Sequence, residues 1–136
     1  SVTEIVVGKN ARVEHTKLQM ESPLAFHVAS TQVQQERDVV FSSHNFDFGG
    51  RIVRNTSSAV MGGENIECTM NGLYLIAGDQ HVDNHTAMDH AMPHCNSYEV
   101  YTGVLDDKAR GVFNGKIFVR RDAQKTDAKQ SNRNLL

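Results

Sequence analysis

The sequence predicts an all-β protein, a parallel β-helix (solenoid) forming one domain over residues 1–136, and three observations carry that reading. Apolar residues alternate at period two in short runs, glycines punctuate the chain at close intervals, and a shift of 22 residues brings similar side chains into line.

In chain order, "LAFHVASTQV" places Leu24, Phe26 and Val28 at period two, "NIECTM" does so with Ile66, Cys68 and Met70, and "KIFVRR" with Ile117 and Val119. Gly49-Gly50, Gly62-Gly63, Gly72, Gly78, Gly103, Gly111 and Gly115 stand between or beside such runs and read as turns. No segment of twelve or more residues carries a helical apolar period behind a capping residue. The 22-residue shift aligns Phe26, Phe48, Met70 and Met92, and also Leu73, Cys95 and Ile117, as if one turn of chain lay on the next. A solenoid needs its end coils covered, because they expose unpaired N–H and C=O groups. This chain begins without Met inside a strand pattern and stops at "NRNLL" with no capping helix, so it reads as a solenoid truncated at both ends and prone to self-association.

Composition narrows the function. Hydrophobic content of 39% with 22% charged residues is that of a globular domain, and no apolar run approaches the roughly 20 residues that cross a bilayer. With no secretory signal pattern at the start, we expect a soluble, cytoplasmic protein without a membrane partner. Cys68 and Cys95 give no disulfide framework and read as free thiols. Residues 55–105 hold six acids and no Lys or Arg, whereas 106–136 hold eight Lys/Arg against four acids. With only Phe113 and Phe118 as aromatic surface in that basic end, we expect no nucleic-acid partner.

The densest chemistry is "HVDNHTAMDHAMPHC", where four of seven histidines and one of two cysteines fall within His81–Cys95. His81 and His85, like His90 and His94, have a spacing that joins two imidazoles on one helix face. Pro93 and the strand pattern oppose that helix, and in an extended chain the pair lies about 13 Å apart, too far for one ion bound at about 2.1 Å. Under the 22-residue shift Cys68 lies over His90, which would make a soft N/S metal position or a packed thiol beside an imidazole. Cys95 has His94 next to it, but strand neighbours point to opposite faces. No nucleophile elbow, phosphate loop or carboxylate pair stands out, so no catalytic residue is assigned. His90 and Cys95 are the candidate metal contacts.

The stretches "NGLYLIAGDQHVDNHTAMDHAMPHCNS" and "YTGVLDDKARGVFNGKIFVRRDAQKTDAKQSNRNLL" resemble the SufB/SufD family of iron–sulfur cluster assembly proteins, nearest its SufD members. "TEIVVGKNARVEHTKLQ", "ERDVVFSSHNFDFGG" and "VRNTSSAVMGGENIECTMNGLYL" look like the preceding coils, so the resemblance covers essentially the whole chain. It implies a right-handed parallel β-helix in a scaffold subunit that pairs with a SufB-like paralogue and binds a SufC-like ATPase. It also implies that the SufC contact and a Cys-Ser-His-Gly motif lie beyond "NLL". Where SufB members carry a scaffold cysteine, this chain reads "SNRN" around Asn132, and an amide does not replace a thiolate on iron.

The leading expectation is therefore a non-catalytic scaffold, binding no cofactor tightly, with an iron–sulfur cluster formed transiently at the interface of the complex. Lys116, Arg120, Arg121 and Lys125 are candidates for docking. A carbohydrate-active β-helix enzyme is the alternative, although absence of Trp leaves its sugar platform thin. The third reading is a metal-binding module built on the His81–Cys95 histidines and the cysteines.

Overall fold

The computed structural model describes residues 1–121 and 123–135, which hold ten strands and no helix. They are β1 (Val2–Val7), β2 (Arg12–Gln19), β3 (Phe26–Gln35), β4 (Val40–Asp47), β5 (Ile52–Met61), β6 (Glu67–Ile76), β7 (His81–His90), β8 (Asn96–Leu105), β9 (Arg110–Val119) and β10 (Asp127–Leu135). Odd strands form one sheet in the order β1-β3-β5-β7-β9, and even strands a second in the order β2-β4-β6-β8-β10. Every pairing is parallel, so each coil gives one strand to each sheet and five coils stack into the predicted β-solenoid.

The coil length differs from the 22 residues read in the sequence. Paired residues lie 26 positions apart at the shortest step, Phe26 to Ile52, and 31 at the longest, Asn96 to Asp127. A complete coil needs two strands of up to ten residues and two corners, more than 22 residues supply. The alignment of Cys68 with His90 therefore fails. Cys68 stacks between Phe41 and Ser97, and His90 between Met61 and Val119.

One corner sets the pitch. Asn10, Asp38, Asn65, His94 and Lys125 each have positive φ, between 59° and 65°, and each sits between an odd strand and the next even one. Their chain is turned sharply by the left-handed region, which, after glycine, Asn and Asp reach at least cost. The corners bond to one another as they stack, through Asn10 N–H to Arg37 O (3.2 Å), Asp38 N–H to Glu64 O (3.0 Å) and His94 N–H to Gln124 O (3.2 Å). Asn65 Nδ2 donates to Asp38 Oδ1 at 2.9 Å, adding a side-chain link between two of these corners.

Alternation assigns faces. Ile66, Cys68 and Met70 point inward as their period suggests, and pack with Val33, Phe41, Met61, Met88 and Tyr101. Leu24, Phe26 and Val28 instead face outward and are exposed, because the inward positions of β3 are His27, Ala29, Thr31, Val33 and Gln35. A second apolar cluster, Val53, Tyr74, Ile76, Val82 and Leu105, closes the opposite corner.

The glycines divide into two groups. Gly49, Gly50, Gly62, Gly63 and Gly78 lie at corners, as read. Gly72, Gly103, Gly111 and Gly115 lie inside strands and mark close packing rather than turns. A Cβ on Gly103 would stand 2.0 Å from the Tyr74 ring, and one on Gly72 2.3 Å from the Tyr101 ring. Each tyrosine therefore lies across a neighbouring coil where a side chain is missing. Tyr101 also stacks on Phe113 at 4.7 Å, and the Tyr74 hydroxyl donates to Asn134 Oδ1 at 2.5 Å. Gly103→Ala should destabilise the chain by about 1–3 kcal/mol through overpacking. Denaturant unfolding measures this, and Gly78→Ala, where a Cβ meets nothing, separates crowding from the strain of its positive φ.

Candidate functional site: the lumen and the histidine coil

The histidine-rich stretch runs along the fourth coil as β7 and the corner after it. His81 and His85 alternate outward with Asp83 and Asp89 while Val82, Asn84, Thr86, Met88 and His90 face in. His85 Nε2 lies 2.7 Å from Asp83 Oδ1, so that imidazole pairs along its own strand. His94 is a corner residue with φ of 62°. No helix gathers these rings, and among the described residues no three His, Cys, Asp or Glu side chains form a group able to hold a metal ion.

His90 is fully buried, with Nε2 2.8 Å from the Ser97 hydroxyl across the lumen and Nδ1 without a hydrogen-bond partner. Burial holds its pKa below the ordinary value, against the pull of Asp89, and so favours the neutral ring. Cys95 is fully buried in the corner, where its thiol donates to the carbonyls of Gly63 (3.2 Å) and Pro93 (3.6 Å). Its pKa is raised by burial, which disfavours the thiolate that metal binding requires. Thus the two candidate contacts have separate hydrogen-bond partners. Cys68, a free thiol like Cys95, is 3.9 Å from Met88 Sδ, and burial pushes its pKa up to about 12.

The residues that sequence reasoning passed over line the lumen. Lys17 Nζ lies 2.7 Å from His27 Nε2 and donates to Asn55 Oδ1 at 3.0 Å. Asn55 Nδ2 in turn donates to Asp47 Oδ2 (2.8 Å) and Asn84 Oδ1 (3.1 Å), and Asn45 Nδ2 reaches the same Asp47 oxygen at 2.9 Å. Burial raises Asp47 and lowers Lys17, each tempered by the other's charge. Farther along, Glu99 is 1% exposed and neither of its carboxyl oxygens has a hydrogen-bond partner among the described residues. Only these strands' inward positions could have revealed the network, and those are legible only once the coil length is known.

The last coils carry the basic residues singled out for docking. Arg120 is committed elsewhere, since Nε and Nη2 donate to the two Asp89 oxygens at 3.0 and 2.7 Å. Lys116, Arg121 and Lys125 stand outside that pair; Lys116 and Arg121 are exposed.

Glu99 gives a pH test with a definite sign. Burial raises its pKa above the ordinary 4.5, and the nearby Thr86 hydroxyl pulls the other way without reaching hydrogen-bond geometry. The folded chain therefore keeps a proton that the unfolded chain releases, and stability drains away as pH climbs from about 4.5 to the raised folded value. Denaturant unfolding over that interval should show the natural chain losing stability relative to Glu99→Gln, which has no proton to release. Parallel pH profiles for the two proteins would mean that Glu99 ionises alike in both states.

A family model described as "SUF system FeS cluster assembly, SufBD core domain" matches residues 1–136. The iron–sulfur cluster assembly protein SufD of Escherichia coli is 36% identical over 132 residues, covering 97% of this chain and 31% of that protein. A SufBD family iron–sulfur cluster assembly protein of Synechocystis is 31% identical over 135 residues, covering 99% of this chain and 30% of its own length. A SufBD family protein of Mycobacterium tuberculosis is 27% identical over 140 residues, with 98% and 35% covered. The chain thus spans about a third of the length of the curated relatives it matches. A core-domain match over the full sequence, on a solenoid of parallel coils, places this chain in the SufB/SufD family of iron–sulfur cluster assembly proteins.

Proposed function

We propose that the chain is the β-helix core of a non-catalytic scaffold subunit, one that pairs with a SufB-like paralogue and works with a SufC-like ATPase while iron and sulfur are assembled on the complex. The observation that carries this reading is the full-length core-domain match together with the 36% identity to a SufD. The burial of both thiols supports it as well, because sulfur chemistry needs an accessible thiolate. The carbohydrate reading finds no counterpart in the family match.

Parallel pairing suits such a role. It lays two five-stranded sheets along the stack, each with an outward face open to a partner. Lys116, Arg121 and Lys125 belong to the docking proposal, with Arg120 held by Asp89. Iron, as cargo, would meet this coil through the unpartnered His90 Nδ1 or the Cys95 thiol, and only after the corner opens. No helix among the described residues is long and apolar enough to cross a membrane, and a cytoplasmic site of action is part of the proposal.

The test is co-purification of the full-length protein and of residues 1–136 with a SufB-like and a SufC-like partner. We expect full-length protein to retain both and residues 1–136 to lose the ATPase, since that contact is assigned to the length outside this core. Equal retention of the ATPase by the core would refute the assignment. A stoichiometric ion on the untagged core alone would favour the metal-module reading.

A further inference from the structure

At the start of the solenoid, three side chains outside the docking and iron-contact candidates form an ordered chain. Glu21 Oε1 lies 2.5 Å from His27 Nδ1, and His27 Nε2 lies 2.7 Å from Lys17 Nζ. With a carboxylate on Nδ1, the ring carries its proton there and presents a lone pair at Nε2, so the lysine N–H donates to the imidazole. The order carboxylate, imidazole, nucleophile is that of hydrolase triads, here with an amine in the nucleophile's place.

The arrangement is built rather than incidental. Glu21 sits in the β2–β3 corner, its N–H donating to Gln19 Oε1 at 2.9 Å and its C=O accepting from Gly50 N–H at 3.3 Å. A Cβ on Gly49 would lie 2.2 Å from that same carbonyl, so glycine is required for the corner to approach. Lys17 and His27 are inward positions of strands in opposite sheets, β2 and β3, and Asn55 holds the amine from β5. Beside the amine is a cavity of about 20 Å³, lined by His15, Lys17, Thr31, Ser43, Asn45 and Ser57 among others. That is room for about one water-sized group. Asp47 and Glu21 nearby disfavour an anion, whereas a neutral molecule meets hydroxyls and amides able to bind a carbonyl oxygen.

We infer that Lys17 is an imine-forming amine, with His27 as its base and the lumen cavity as the receptor for a small, uncharged carbonyl compound. Lys17 gives one proton to His27 Nε2, and Glu21 balances the imidazolium. The freed nitrogen lone pair adds to the carbonyl carbon, and the oxygen takes the proton back from His27. It then leaves as water with a second proton from the nitrogen, so ammonium and aldehyde become iminium and water with no oxidation or reduction. The iminium keeps the positive charge that Asp47 and Glu21 already neutralise. Burial, which lowers the Lys17 pKa, raises the share of amine ready to add.

The probe is formaldehyde, trapped by cyanoborohydride on the full-length protein at limiting reagent and mapped by peptide mass spectrometry. Lys17 should be methylated several-fold faster than the exposed Lys9 and Lys108. His27→Gln should remove that preference and Glu21→Gln weaken it, both leaving the Lys9 rate unchanged. The inference is overturned if Lys17 reacts no faster than Lys9, or if its advantage survives His27→Gln in protein with a native circular dichroism spectrum. Should His27→Gln not fold, the exposed end of the chain, Glu21→Gln, decides the matter by the same comparison.

Discussion

Everything in this molecule depends on main-chain hydrogen bonding between parallel coils held in register. Each strand end is fixed by the corner below it, so residues far apart in sequence become vertical neighbours at about the 4.8 Å strand spacing. The corner column of Asn10, Asp38, Asn65, His94 and Lys125 enforces this, because each accepts a left-handed backbone at the same place in its coil. A slip of one residue would turn every lumen side chain outward. The stacked corners and the glycine–tyrosine contacts at Gly72 and Gly103 work against such a slip from the two sides of the coil.

Many of the side chains inside this stack are polar. Apolar side chains gather at the two corners, while Lys17, Asp47, Asn55, Asn84, Thr86 and Glu99 occupy the space between. Buried polar groups cost stability unless bonded, and Lys17, His27, Asp47, Asn55 and Asn84 are bonded in a continuous network that runs from the first coil to the fourth. Meanwhile Phe26, Val28 and Ile52 face outward. The usual distribution of apolar and polar residues is partly inverted over the first coils, and the polar character of the lumen follows from that inversion.

Strand content, parallel solenoid architecture and family were legible in the sequence, because period-two runs and the long "DDKARGVFNGKIFVRRDAQKTDAKQSNRNLL" block survive without any coil length. The coil length was not. Steps of 26 to 31 residues have no single period, and chance matches such as Phe26, Phe48 and Met70 favoured 22. The informative signal was the turn-formers Asn10, Asp38 and Asn65, spaced 28 and 27 apart, hidden because the next two corners use His and Lys. From the wrong period came the wrong stack of Cys68 on His90; the reading of Gly72 and Gly103 as turns came instead from treating every glycine as a breaker, when in these strands glycine makes room for a tyrosine ring. The wrong period also hid the polar lumen, since Lys17 and His27 look like surface residues until opposite strands are placed.

Parallel stacking at these steps is the central claim, and a pulsed electron paramagnetic resonance distance tests it most directly. Glu14 and Lys129 lie on one outward column, four strand spacings apart, through Ser42, Thr69 and Tyr98. Spin labels on Glu14→Cys and Lys129→Cys, with the buried native thiols unlabelled, should give one narrow distance near about 19 Å plus the label arms. A broad distribution, or a separation well away from that value, would contradict the register on which the account stands.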